Sequence, residues 1–321
     1  MPATTPPYPR DLVGYGATPP DPRWPGGARL AVQFVINVEE GGEHNILHGD
    51  TESEAFVTEE PTIPLSGRRN LNVESQYEFG SRTGFWRLHR LFTERDLPVT
   101  VFGIATALDR APAAVAAMQT AGWEIASHGL RWIDYSTMAE KQEAEHIGAA
   151  IKLHRQATGV APTGWYTGRM SHNTRRLLYA AGDFRYDSDS FSDDLPYWVA
   201  DGSAGRLVIP YTLDNNDVRY AHAFGFNSPR FSDYLGDAME LLLAEGAHAP
   251  KMMSVGLHTR ISGRAGRAAD LARFLDRVVE ARDLWVPRRI DIAEHWHAEH
   301  PWAGQPEIHD VALQRDESTR V

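Results

Sequence analysis

Several acids and imidazoles in this chain are spaced so that only a fold could bring them together. Glu39 and Glu40 are adjacent; His128, Asp187, Asp189 and His258 lie far away in the sequence. Each closes or follows a short apolar run, as do Arg169 and Asn215. Carboxylates and imidazoles gathered in one place are the components of general acid–base hydrolysis, in which one group takes a proton from water and another returns one to the leaving atom. The chain has no cysteine, which removes a thiol nucleophile, a thiolate metal site and a disulfide scaffold. No activated serine motif is present either, so attack by water is the economical route. Other histidines weigh less. His44 and His48 have the i, i+4 spacing of helical metal ligands, but Gly and Asp bound them in what reads as a loop. His295, His297 and His300 read as an exposed helix end, where imidazoles complement the helix dipole.

The elements that would carry these groups alternate. Apolar, β-branched runs at 30–36, 99–104, 124–127, 163–167, 184–188, 207–212, 252–257 and 284–287 predict strands. Helical periodicity separates several of them. Phe85, Leu88 and Phe92 mark one helix. A second opens with Thr137 and Glu140 in a capping-box pattern, presents Ala144, Ile147 and Ile151, and stops at Gly159. A third carries Leu235, Met239 and Leu242 to Gly246, and a fourth Leu271, Phe274, Leu275 and Val278. Strand–helix alternation with a period of roughly 36 residues predicts parallel β/α units. Because neither a G-x-G-x-x-G turn nor a P-loop occurs, an irregular (β/α) barrel of TIM-like type is favoured over an open nucleotide-binding sheet. Pro210 falls inside the sixth run, which suits an edge and imperfect closure. In such a barrel the chemistry gathers at the carboxyl ends of the strands, where all the residues above lie.

Composition narrows the partners. Among 321 residues, 42% hydrophobic and 23% charged is an ordinary globular balance. A formal net charge of −11 speaks against nucleic acid and against anionic membranes. No apolar stretch approaches a membrane span, and the amino terminus lacks the apolar core of a secretory signal, so a cytoplasmic protein is expected. Residues 1–28 predict an extended arm whose Tyr15 and Trp24 pack on the domain or on a neighbouring subunit, residues 29–302 one domain, and 303–321 a loose tail. The connection at 41–83 is too long for a simple loop and reads as a lid or an assembly surface.

The segments NVEEGGE at 37–43, EIASHGLRWIDY at 124–135, GWYTGRMSHNTRRL at 164–177, YDSDSFSDDLPYW at 186–198, LVIPYTLDNND at 207–217 and SVGLHTR at 254–260 together carry a resemblance. Over roughly residues 8–302 the chain resembles the polysaccharide deacetylase superfamily, the NodB-homology fold. Within it the chain is most similar to the cofactor-independent allantoinases of urate catabolism. Where that superfamily has Thr-Phe-Asp-Asp, this chain has Glu39 and Glu40. Where it has two metal-binding histidines four apart, this chain has His128 and Trp132. A site that has lost an imidazole holds a metal poorly, so no metal cofactor is expected, with a divalent ion such as zinc as the alternative.

The resemblance implies ring-opening hydrolysis of (S)-allantoin to allantoate, with Glu39 or Glu40 activating water and His258 donating a proton to the leaving nitrogen. His128 and Arg169 would bind the carbonyl, and Trp132, Asp187, Asp189 and Asn215 would contact a small ureide. It also implies a homotetramer. A metal-dependent deacetylase of N-acetyl sugars, a paralogous hydantoin or ureide amidohydrolase, and a non-catalytic binding module remain as other readings.

Overall fold

The computed structural model describes residues 10–59, 62–221 and 230–304. The first nine residues of the expected arm and all but the start of the expected tail lie outside them. A nine-stranded sheet forms the frame, in the order β6-β7-β5-β4-β3-β2-β1-β8, with β9 also paired to β1. The strands are β1 (Leu30–Val38), β2 (Thr100–Gly103), β3 (Glu124–Ser127), β4 (Gly164–Trp165), β5 (Tyr186–Asp187), β6 (Tyr197–Asp201), β7 (Ala204–Val208), β8 (Lys251–His258) and β9 (Leu284–Trp285). Every pairing is parallel except β6 with β7.

That hairpin is a correction to an all-parallel expectation. Its strand β6 is not predicted, although the two-residue turn Gly202-Ser203, with Gly202 at positive φ, is a hairpin signal. The sixth predicted run begins too late: β7 covers Ala204–Val208, and the chain beyond it, through Pro210, crosses the gap towards β8. There Ser254 Oγ donates to the Pro210 carbonyl at 3.3 Å, and Asn216 bridges Gly256. The sheet therefore curls into an incompletely closed barrel, open where a proline denies the ladder a donor.

Helices clothe the outside. They are α1 (Leu71–Phe79), α2 (Phe85–Thr93), α3 (Ala105–Arg110), α4 (Pro112–Thr120), α5 (Glu140–Thr158), α6 (Thr174–Ala181), α7 (Val218–Ala221), α8 (Phe231–Glu245), α9 (Thr259–Ser262), α10 (Ala265–Glu280) and α11 (Arg289–Glu299). Strand β1 is buried throughout, and its two faces do different work. Leu30, Val32, Phe34 and Ile36 join the helix-side core with Phe92 and Phe274, whereas Val35 joins Phe102, Ala126, Tyr166 and Tyr211 inside the curl. Helix α5 ends at Gly159 as expected but starts differently: no side chain caps it, and Ala144 is exposed. Glu143 faces inward instead, accepting from the Ser171 and Thr174 hydroxyls.

The arm folds back on its own chain. Trp24 is buried, donates from Nε1 to the Lys251 carbonyl at 2.9 Å and packs against Trp285 and Trp296. His295 and His297 are half-buried rather than exposed, bonded to the carbonyls of Pro22 (2.7 Å) and Arg185 (3.0 Å). Their imidazoles thus fasten the arm and a neighbouring loop to α11. Among the described residues no helix is long and apolar enough to cross a membrane.

Candidate active site

Strand parity decides which acid faces the interior. Side chains alternate along a strand, so the face that carries Val35 and Asn37 in β1 continues to Glu39. The same count in β8 carries Ser254 to His258, and in β3 it carries Ala126 to His128. Register completes the placement: Asn37 lies opposite His258, and Gly103 of β2 links Val38 on one side to Ser127 on the other. Glu39 Oε1 then stands 3.3 Å from His128 Nε2 and 3.5 Å from His258 Nε2. All three are buried, Glu39 at 1% exposure.

Each imidazole is oriented by a partner on its far nitrogen. His128 Nδ1 faces the Tyr166 carbonyl at 2.9 Å, which assigns the proton to Nδ1 and aims Nε2 at Glu39. His258 Nδ1 lies 2.7 Å from Asp217 Oδ1. Asp217 Oδ2 meanwhile accepts from the His258 amide at 2.7 Å and from the Ser262 hydroxyl at 2.6 Å, so its carboxylate is locked.

Arg260 completes the cluster. It enters on α9 directly after β8 and is 2% exposed. Its Nη1 lies 2.7 Å from Glu39 Oε2 and 3.6 Å from Glu40 Oε1. The nearer contact is an ion pair without an aligned hydrogen bond, and both Nη atoms lack hydrogen-bond partners. The guanidinium carbon lies over Tyr77 at 4.3 Å and Trp132 at 5.2 Å from the ring centroids, where aromatic faces stabilise a desolvated cation. Glu40 points away from His128, accepting from the Thr259 hydroxyl and the Glu39 amide.

These neighbours set the charge states. Burial pushes Glu39 up, but the Arg260 and His258 cations outweigh it and hold its carboxyl well below the usual range. Burial likewise pushes Glu40 up, and Arg260 and Thr259 only partly offset it, so Glu40 stays raised. Burial disfavours the His258 imidazolium, but Glu39 and Asp217 overcome this and raise it to about 9. At neutral pH the site thus presents an ionised Glu39 facing a protonated His258.

The 41–83 segment roofs the site. Phe56 stacks on Trp132 at 5.8 Å, Val57 accepts from Arg260 Nε at 3.3 Å, and Tyr77 of α1 lies beneath the guanidinium. One wide helical turn, Gly80–Gly84, joins α1 to α2 at the point of closest approach. A Cβ at Gly80 would overlap Glu40 Oε1 and Thr259 Oγ1, and one at Gly84 the Thr259 carbonyl, so glycine is the residue that fits. Arg131 latches the roof, donating to Asp50 at 2.5 and 2.9 Å and to the Glu43 carbonyl at 2.7 Å. His48 is spent here on the Glu43 carbonyl at 3.0 Å, and His44 lies 3.7 Å from Asp50.

Of the other residues singled out in the sequence, Trp132 and Arg169 join the cluster. The Arg169 guanidinium lies 4.8 Å from the Trp132 centroid and 5.5 Å from that of Phe56, with Nη2 buried and without a partner. Asp187 and Asp189 do not join it. Asp187 pairs with buried Arg175 at 2.8 and 2.9 Å and accepts from Tyr179. Asp189 accepts from the Thr167 and Gly168 amides at 2.8–3.0 Å; burial, with Asp187 nearby, pushes it up to about 6. It supports the turn that delivers Arg169 but turns its carboxylate into the fold. Asn215 lines a crevice of about 940 Å³ together with Tyr211 and Asp214, two residues before Asp217. Asp217, Tyr77 and Arg260 were not identified as site residues. Arg260 stands two residues after His258, and Asp217 closes the 207–217 segment; those positions were the available signals.

A divalent ion is the alternative that the wider superfamily raises, and these residues do not fit one. Glu39 and Glu40 already share the Arg260 cation, and Trp132 offers no donor where a second imidazole would be needed. Among the described residues no three His, Asp or Glu side chains are arranged to hold a metal.

A curled α/β sheet with acid and imidazole groups at its carboxyl rim defines a general acid–base hydrolase site. A family model described as polysaccharide deacetylase matches residues 72–187. A putative polysaccharide deacetylase of Schizosaccharomyces pombe is 42% identical over 91% of this chain and 98% of its own. Among solved structures, a probable polysaccharide deacetylase from Pseudomonas aeruginosa PAO1 is 54% identical with a TM-score of 0.90, over 92% of this chain and all of that one. PuuE allantoinase is also 54% identical with a TM-score of 0.90, over 92% of this chain and 99% of its own. The chain belongs to the polysaccharide deacetylase family and is a hydrolase of that family.

Proposed function

We propose that the protein opens the ring of (S)-allantoin, hydrolysing its cyclic amide to allantoate without a metal ion. The observation that carries this reading is the enclosure of Glu39 between two imidazoles and Arg260, under a roof, an arrangement that favours a small substrate over a polymer chain. The likeness to PuuE allantoinase supports it.

Glu39, ionised across the neutral range, holds the attacking water against His128 and takes its proton. The water oxygen bonds to the amide carbon, and the carbonyl π pair moves onto oxygen. When the tetrahedral centre collapses, the carbon–nitrogen bond breaks and His258 Nε2 delivers its proton to the departing nitrogen. The new carboxylic acid ionises and its proton leaves the site, while the proton held by Glu39 passes to His258 Nε2, 3.5 Å away, and restores both groups. A depressed carboxylate is a weak base, so His128, whose Nε2 faces the same water position, shares that task. Trp132 and the Arg169 stacked on it border the substrate on one side, and Arg169 Nη2 offers an unused donor to it. The tetramer implied by the resemblance belongs to the same proposal and is checked by sedimentation.

The test is a screen of racemic allantoin, hydantoins, formamides and N-acetylglucosamine oligomers, with and without EDTA. Allantoin turnover insensitive to EDTA supports the reading. Activity confined to the sugar oligomers and abolished by EDTA supports a metal-dependent deacetylase instead; two relatives are named as putative or probable polysaccharide deacetylases. Glu39→Gln and His258→Ala should each lower kcat by at least about a hundredfold with circular dichroism retained; near-normal rates would sink the assignment.

A further inference from the structure

The least satisfied group in the site is Arg260. A guanidinium presents five N–H donors in a fixed fork. Here Nε reaches the Val57 carbonyl at 3.3 Å, Nη1 is held electrostatically by Glu39, and neither Nη atom has an aligned acceptor. Leaving such donors unanswered at 2% exposure is costly unless a ligand answers them. The guanidinium that touches Glu39 Oε2, the oxygen turned away from the two imidazoles, also lies over the face of Trp132. One carboxylate therefore separates the imidazole side, where water is activated, from a cation with free donors, and a carbonyl bound across Glu39 comes within reach of Arg260.

We infer that Arg260 is a catalytic residue, its unused Nη2 donors receiving the carbonyl oxygen as negative charge develops on it. This rests on the amide-hydrolase reading above and deepens it. The balance is simple. As the water oxygen bonds to carbon, the π pair of the C=O becomes the oxyanion lone pair, and Arg260 binds it without gaining or losing a proton. On collapse the pair re-forms the C=O, and the electrons of the carbon–nitrogen bond leave with the nitrogen that His258 protonates. The donors are rigid, stacked on Tyr77 and Trp132, and so need no reorganisation as the charge appears.

The experiment compares wild type with Arg260→Lys and Arg260→Ala on allantoin, reading kcat and KM separately, melting temperature, and rescue by added guanidinium chloride at low millimolar concentration. Lysine keeps the charge beside Glu39 but lacks the second Nη. The inference expects Arg260→Lys to lose about 10²–10³-fold in kcat with KM nearly constant. It also expects guanidinium to restore Arg260→Ala turnover saturably. Arg260→Lys with kcat within threefold of wild type would overturn it. So would a loss matched by a collapse in melting temperature and unrescued by guanidinium, since Arg260 would then only tie the two glutamates together. A wild type inactive on every cyclic amide would instead refute the underlying function; an active wild type with near-normal Arg260→Lys would refute this inference alone.

Discussion

Asp217→Asn probes the acid half of the site. Asp217 Oδ1 lies 2.7 Å from His258 Nδ1, inside a buried cluster where that imidazole is raised to about 9. Against an ordinary value of 6.5, this corresponds to about 3 kcal/mol favouring the imidazolium, provided jointly by Glu39 and Asp217. Replacing one adjacent anion by a neutral amide removes about one pH unit or more of that elevation. The alkaline limb of kcat should therefore slide from about 9 towards neutrality. The amide can also turn its NH2 towards Nδ1 and enforce the wrong tautomer, so turnover below the limb should fall about 10²–10⁴-fold. A histidine raised on folding stabilises the fold fully below 6.5 and loses that contribution as pH climbs through about 9, so wild type should unfold more easily at pH 10 than at pH 6, and Asp217→Asn should show a smaller difference. Steady-state profiles from pH 5 to 10.5 and melting curves at the same points measure both. An unmoved alkaline limb with kcat within threefold of wild type would show that Asp217 does not govern the proton on His258.

Other perturbations address the roof and the frame. Arg131→Met cuts the latch to Asp50 and the Glu43 carbonyl, at a cost of about 1–3 kcal/mol; limited proteolysis within 44–58 should accelerate and KM should rise, while global melting changes little. Asp187→Ala removes the carboxylate that pairs with the buried Arg175 cation and should cost about 3–5 kcal/mol, seen as a fall in melting temperature of roughly 10 °C by calorimetry. An unchanged melting temperature would mean that Asp187 is not a framework residue. Gly80→Ala forces a methyl against Glu40 and Thr259, so activity should drop with about 1–3 kcal/mol of stability, read by kinetics and denaturant unfolding.

Much was legible in the amino-acid order. Central parallel strands are buried on both faces, so β1, β2, β3 and β8 read as short, largely apolar runs without strict alternation, and the helices α2, α8 and α10 declared themselves by one apolar stripe each. The rim position of Glu39, His128 and His258 followed, because a strand's carboxyl end is a sequence coordinate. Two-residue strands such as β4 and β5 have no periodicity to measure, which is why their predicted limits were too generous. The antiparallel β6 hid for another reason: its pairing with β7 depends on a turn, not on a pattern.

What the sequence could not assign was partnership. An aspartate at 187 and one at 217 look alike in one dimension; side-chain parity and the helices packed behind them send the first to Arg175 and the second to His258. The choice between Glu39 and Glu40 was equally closed to inspection, since adjacent residues differ only in which face of the pleat they leave. Arg260 became part of the site because the turn after β8 returns its guanidinium beneath a roof built from residues nearly two hundred positions away. Composition and period specify the elements, whereas charges acquire their meaning from the neighbours and dielectric that burial gives them, and those exist only once the chain has closed.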